Sequence, residues 1–147
     1  MKISEFVSPS DVAVDVRADG KQQLLRDMSA KAAAAAGLIA DEVAAAVLKR
    51  EELGSTGIGD GVAIPHTRLK TVKRPHAAVA KLRHPIAFDA IDGNDVDLVV
   101  LLLLPDAADA DQLVALAAVA RKLKGRETLP RMRAAKTAAE LYTAIAD

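Results

Sequence analysis

The 147-residue chain predicts a three-layer α/β domain, a sheet with helices packed on its two faces. Three observations carry that prediction. Val96-Asp97-Leu98-Val99-Val100-Leu101-Leu102-Leu103-Leu104 is an apolar run of strand length broken only by Asp97, as a central strand covered on both faces requires. Shorter stretches with the extended, period-two pattern precede it. Interspersed with these are segments whose apolar residues recur at three and four, the helical period. No internal repeat or linker interrupts the chain, and one domain of this length buries about two-thirds of its unfolded surface.

Taken in order, Val12, Val14 and Val16 alternate with polar or small residues and predict a short half-buried strand. Gly20 opens a helix over about Lys21–Ala36, carrying Leu24, Leu25, Met28 and the Ala32–Ala36 block, and Gly37 stands in the usual capping position. Asp41 is the expected N-cap of a second helix with Val43, Ala44, Val47 and Leu48, stopped by Gly54. A glycine loop then leads into a short strand, Val62–Ile64, where Pro65 biases Ile64 toward extended backbone. Ala77–Leu82 reads as a strand, Pro85–Ile91 as extended or turn, and Asp92-Gly93-Asn94 as a turn. Pro105 ends the central strand. A long amphipathic helix follows from about Ala108 to Lys124, with Leu113, Leu116, Ala117, Ala120 and Leu123 on one face and Gly125 at its end. A short helix near Leu129–Ala134 precedes a last one, opened by a Thr137/Glu140 capping box and using Leu141, Ile145 and Ala146.

Composition narrows the function classes. Twenty basic residues balance twenty acidic ones, which disfavours non-specific binding to nucleic acid or a membrane surface. The absence of cysteine excludes disulfides, thiolate metal sites and thiol catalysis. With only 2% aromatic residues, alanine, leucine and valine must fill the core. Met1–Phe6 lacks a signal-peptide core, and the longest apolar run is too short to span a bilayer, so the expectation is a cytoplasmic protein without membrane insertion.

The stretch from Gly54 to His66 is the part suited to chemistry. Four of the eight glycines fall in its first eight residues, beside the hydroxyls of Ser55 and Thr56, and His66 follows Pro65. A flexible, NH-rich loop next to an imidazole suits an anion, phosphate above all. Neither nucleotide motif survives a spacing test. Gly54 and Gly59 match P-loop glycines, but Asp60 stands where the lysine belongs; Gly57 and Gly59 would need glycine or alanine where Val62 stands. The structural alternative is a tight loop joining helix to strand. His66 sits after a short strand of an α/β protein, where such folds place ligands, and its ring can attack phosphorus. His76 and His84 have no metal-ligand spacing, so neither metal nor cofactor is expected. Arg50 is either a solvated helix-end charge or a phosphoryl clamp. The acidic stretch Asp89–Asp111 and the basic stretch Arg121–Lys136 read as solvated faces first and docking surfaces second.

The run Arg50-Glu51-Glu52-Leu53-Gly54-Ser55-Thr56-Gly57-Ile58-Gly59-Asp60-Gly61-Val62-Ala63-Ile64-Pro65-His66 resembles the active-site segment of enzyme IIA domains of the fructose/mannitol type in the bacterial phosphotransferase system. The nitrogen-regulatory branch is the most similar. The resemblance continues through Pro85-Ile86-Ala87-Phe88-Asp89-Ala90-Ile91-Asp92, Val96-Asp97-Leu98 and Leu129 to Tyr142, nearly the whole chain. It implies a three-layer α/β/α fold with a mixed sheet, and transient phosphorylation of the histidine on Nε2 by a small histidine phosphocarrier charged from phosphoenolpyruvate through an enzyme I. By position it makes His66 the phosphoryl acceptor and Arg50 the cationic partner, with Ser55, Thr56 and the amides of Gly57 and Gly59 as supporting donors. Two positions depart from the pattern. Gln112 stands where a second histidine is common; its amide can donate a hydrogen bond but cannot carry charge. Thr67 stands where glycine commonly follows the active histidine.

The implied function is a phosphohistidine carrier that regulates partners, such as transporters or sensor kinases, according to its phosphorylation state. The absence of a fused permease or membrane segment in this chain favours that reading. The alternatives are a sugar-uptake component passing the group to a permease domain, a purely regulatory binding module, and, distantly, an unrelated hydrolase using His66 as base. Weak homo-oligomerisation is left open. Transfer between two proteins takes place in their interface, so no deep substrate pocket is expected against His66.

Overall fold

The computed structural model describes residues 1–106 and 111–147, without the side chains of residues 111 and 112. Two 3-10 turns, Ile3–Glu5 and Pro9–Asp11, lead into β1 (Val12–Val16), α1 (Lys21–Ala36) and α2 (Ala40–Glu52). Then come β2 (Gly57–Gly59), β3 (Val62–Ala63), β4 (His66–Leu69), β5 (His76–Ile86) and β6 (Val96–Pro105). The chain closes with α3 (Asp111–Leu123), α4 (Thr128–Ala134) and α5 (Ala138–Ala146). The sheet runs β1-β5-β6-β3-β2, with β4 also on β6. It is mixed: β1 on β5 and both β3 and β4 on β6 are parallel, whereas β5–β6 and β2–β3 are antiparallel.

The apolar run forms the central strand because both of its faces are covered. Leu98, Val100, Leu102 and Leu104 pack with Ala115, Val119 and Leu123 of α3, Met132 of α4, and Leu141 and Ile145 of α5. Val99, Leu101 and Leu103 pack with Leu24, Leu25 and Met28 of α1 and Val43 and Val47 of α2. Period-two alternation thus feeds two separate cores, and each fully buried Leu or Val is worth about 1.5–3 kcal/mol. This is the α/β/α sandwich the sequence predicts.

Several local expectations change. Alternation would put Val12, Val14 and Val16 on one face, but Val12 and Val14 join the α3–α5 core while Val16 packs in the α1–α2 core. The register on β5 shifts between Ala13 and Val16, where Asp15 takes a left-handed φ of 54° that its short polar side chain tolerates. The second helix starts at Ala40, capped by Ile39 without a side-chain bond; Asp41 lies in the first turn, where its charge favours the helix dipole instead. Thr137 does accept from the Glu140 amide at 3.1 Å, but the Glu140 carboxylate bonds Lys136 N rather than Thr137 N, so only half of a capping box forms. The strand expected over Ala77–Leu82 runs from His76 to Ile86, with a register irregularity before Ile86. The expected start of the long helix at Ala108 lies outside the described residues.

The largest revision concerns the Gly54–His66 stretch. It is a β-hairpin, β2–β3, rather than an open loop, and the expected strand Val62–Ile64 is Val62–Ala63, the first of two pieces of one interrupted strand whose second piece is His66–Leu69. Val62 and Ala63 pair with Leu98 and Val99; His66 and Thr67 pair with Leu102 and Leu103. The offset along β6 is the same on both sides of Ile64-Pro65, so β4 continues the line of β3. Pro65 supplies no N–H to a ladder, but its carbonyl still accepts from Leu102 N at 2.9 Å.

Candidate functional site

His66 opens β4 immediately after the interruption. Its partner Leu102 points into the α3–α5 core, and paired residues of parallel strands share a face, so the imidazole lies on the side of the sheet that α3 covers. Nδ1 lies 2.7 Å from the Ile64 carbonyl oxygen. A carbonyl only accepts, so Nδ1 carries the hydrogen, and in the neutral ring Nε2 is left with the lone pair. The ring is half-buried. Thr67, pairing with Leu103, is buried on the opposite face, toward α1 and α2. Its departure from the family pattern is therefore not beside Nε2.

Arg50 lies in the last turn of α2, which packs against β4. One guanidinium nitrogen, Nη1, donates to the Gly54 carbonyl at 2.9 Å, which steers the side chain toward the start of the hairpin. Its other donors have no protein partner among the described residues.

The Ser55 and Thr56 hydroxyls are committed elsewhere. Ser55 Oγ donates to the Phe88 carbonyl at 2.7 Å and accepts from Gly57 N at 3.0 Å. Thr56 Oγ1 donates to Glu51 Oε1 at 2.5 Å, and Thr56 N donates to Glu51 Oε2 at 2.8 Å. Asp60 N is taken by Asp92 Oδ2 at 3.0 Å. Of the amides expected to cradle an anion, Gly57 N thus binds a side chain of the protein itself, as do the neighbouring Thr56 N and Asp60 N. Gly57 has a steric reason to be glycine: a Cβ there would sit 2.7 Å from Ala90 Cβ and 2.9 Å from Ala90 Cα. Gly59, with φ 100°, begins the tight turn that Asp60 and Gly61 complete. The structure places Gly57 and Gly59 in one hairpin and Ser55 and Thr56 at its root. Gln112 is in the first turn of α3, and its side chain lies outside the described residues.

Residues that sequence reasoning passed over fix this hairpin. Glu51 is 7% exposed and binds Thr56, with Lys21 Nζ 3.0 Å from its Oε2. Arg133 of α4 bonds both carboxylate oxygens of Asp97, at 3.2 and 3.0 Å, and the Asp60 carbonyl. Asp92, from the acidic stretch, accepts from Asn94 and Asp60 amides, which hold its carboxyl below the ordinary range. Part of the charge read as solvated surface is therefore structural. A signal existed for Glu51, which follows Val43 and Val47 at four-residue spacing on the buried stripe of α2.

Surface clefts of about 340–720 Å³ open elsewhere among the described residues, and His66 lines none of them. Large apolar side chains instead stand in solvent at Leu53, Ile58, Ile91, Leu113 and Val114. Ile58 and Ile91 are neighbours, since Ile91 N faces the Gly57 carbonyl at 3.5 Å. His76 lies 3.3 Å from Asp11 and His84 is exposed; the described residues contain no group of three or more metal-ligating side chains. No helix among them is long and apolar enough to cross a membrane.

Comparison with known proteins agrees with this architecture. Residues 5–147 match the family described as phosphoenolpyruvate-dependent sugar phosphotransferase system, EIIA 2. The chain is 39% identical to a nitrogen regulatory protein of Bradyrhizobium diazoefficiens, covering 99% of this chain and 95% of the relative. It is 41% identical to a nitrogen regulatory protein of Escherichia coli, covering 100% and 91%. The crystal structure of nitrogen regulatory protein IIA-Ntr from Neisseria meningitidis superposes with a TM-score of 0.91 at 31% identity, over 97% of this chain and 98% of that one. The chain belongs to the EIIA 2 family of the phosphotransferase system, on its nitrogen-regulatory side.

Proposed function

We propose that the protein accepts a phosphoryl group on Nε2 of His66 from a small histidine phosphocarrier and regulates partner proteins according to whether it carries that group. The observation that carries this reading is the 2.7 Å contact of Nδ1 with the Ile64 carbonyl, which leaves Nε2 as the nucleophilic nitrogen. In the transfer, the Nε2 lone pair forms a bond to phosphorus as the donor's N–P bond breaks, and that bond's electron pair returns to the donor ring. With the donor's second ring nitrogen protonated, the donor leaves as neutral imidazole. His66 takes over the positive ring charge, its Nδ1–H still on Ile64.

Such a transfer calls mainly for alignment and for stabilisation of the equatorial oxygens. Arg50, with donors left over after Gly54, is the residue suited to the second role. Ser55, Thr56, Gly57 and Gly59 hold the frame in which His66 is presented. The exposed Leu53, Ile58, Ile91, Leu113 and Val114 suit an apolar protein partner. Phosphorylation adds roughly −1.5 to −2 charge at His66 and changes which surface can dock. The relatives named as nitrogen regulatory proteins support regulation as the outcome.

The test is incubation with labelled phosphoenolpyruvate, enzyme I and the phosphocarrier. One acid-labile, base-stable phosphate is expected, absent from His66→Ala. Label retained in that variant overturns the assignment.

A further inference from the structure

The buried charge of Glu51 has no part in the chemistry just described, yet it is tied to His66 by an unbroken chain of hydrogen bonds. Glu51 Oε2 accepts from Lys21 Nζ at 3.0 Å and from Thr56 N at 2.8 Å, while Oε1 accepts from Thr56 Oγ1 at 2.5 Å. The Thr56 carbonyl accepts from Ile64 N at 3.0 Å. The Ile64 carbonyl accepts from His66 Nδ1 at 2.7 Å. Lys21 is held in turn: Nζ donates to the Phe88 carbonyl at 3.2 Å and lies 4.5 Å over the Phe88 ring, and the same carbonyl takes Ser55 Oγ. One ion pair therefore joins the start of α1, the end of α2, the root of the hairpin and the segment after β5.

A buried ion pair is weak evidence for stability, because desolvating both charges offsets their attraction. Its effect here is geometric. The Ile64 N–H bond to the Thr56 carbonyl continues the β2–β3 ladder one residue past Gly57–Ala63, so Ile64, including its carbonyl, is aimed by what holds Thr56. We infer that Glu51, held by Lys21, is a positioning residue for His66: by fixing Thr56 it aligns the Ile64 carbonyl that keeps the neutral ring in the Nδ1–H form with Nε2 open. This rests on the proposed phosphoryl transfer only for its consequence, since the tautomer is a property of the resting protein.

The experiment compares wild type with Glu51→Gln and Lys21→Met by long-range ¹H–¹⁵N correlation of the His66 ring at a pH where it is neutral. Far-ultraviolet circular dichroism shows which variants fold. Glutamine keeps the shape of Glu51 but turns one acceptor into a donor facing Thr56 or Lys21. The wild type is expected to show the Nδ1–H tautomer. Each folded variant is expected to shift measurably toward Nε2–H, and phosphoryl labelling should slow by about tenfold or more, the scale for a misplaced reacting group. Should Glu51→Gln fail to fold, Lys21→Met decides alone by the same readouts. A folded variant with the wild-type tautomer and labelling rate overturns the inference. A shifted tautomer in a protein whose wild type takes no label upholds it and sinks the proposed function instead.

Discussion

Gly57→Ala would introduce a methyl group 2.7 Å from Ala90 Cβ and 2.9 Å from Ala90 Cα. Carbon atoms rest at about 3.5–4.0 Å, so the overlap is close to an ångström and one side must move. The hairpin cannot yield easily, because Arg133 and Asp92 hold its turn and Glu51 its root. The segment around Ala90 is held by Ser55 Oγ on the Phe88 carbonyl and by the fully buried Phe88 ring. Relief of this kind of overpacking costs about 1–3 kcal/mol. For a domain of this size each kcal/mol lowers Tm by about 2–4 °C, so a fall of about 2–12 °C is expected. Differential scanning calorimetry measures it, and Gly57→Ala/Ala90→Gly should recover part of the loss as a coupling energy. If Gly57 is glycine because a phosphoryl group needs the space, the single variant would keep its Tm and lose only labelling rate. An unchanged Tm would refute the steric reasoning.

Two further outcomes follow from the site. Arg50→Ala loses one exposed hydrogen bond to Gly54 and should cost no more than about 1 kcal/mol in a urea titration, yet slow labelling by about 10–100-fold; transfer at the wild-type rate would make the arginine structural. Asp92 has a folded-state pKa held low by the amides of Asn94 and Asp60. Its contribution is therefore complete above the ordinary Asp value of about 3.9 and drains as pH falls through the lowered one. The urea midpoint of Asp92→Asn should lie below wild type at pH 7 and approach it near pH 3; an equal gap at both would show that the charge is irrelevant.

The elements that packing alone decides were legible. Val96–Leu104 was the least ambiguous strand and is doubly covered as its apolar run required, and α1 and its glycine cap follow from periodicity. What escaped depends on partners distant in sequence. His66-Thr67-Arg68-Leu69 has no strand pattern of its own and becomes β4 because β6 continues the register begun by Val62 and Ala63. The valines of β1 divide between two cores because of one left-handed Asp15. At the site, His66 and the glycine-rich approach stood out, since the residue types announce chemistry. The roles inside the hairpin did not. Ser55 and Thr56 look like anion donors until Phe88 and Glu51 take their hydrogens. Glu51 was visible only as a carboxylate on an apolar stripe.

The proposed transfer requires that the fold present Nε2 of His66 as nucleophile while Ile64 holds Nδ1–H. Nitrogen-15 and phosphorus-31 spectra of the phosphorylated, ring-labelled protein test it most directly. Phosphorus–nitrogen coupling is expected to Nε2 of His66 alone, with the Nδ1 proton retained and protected from exchange. Phosphorus coupled to Nδ1, or carried by any other residue, would contradict it.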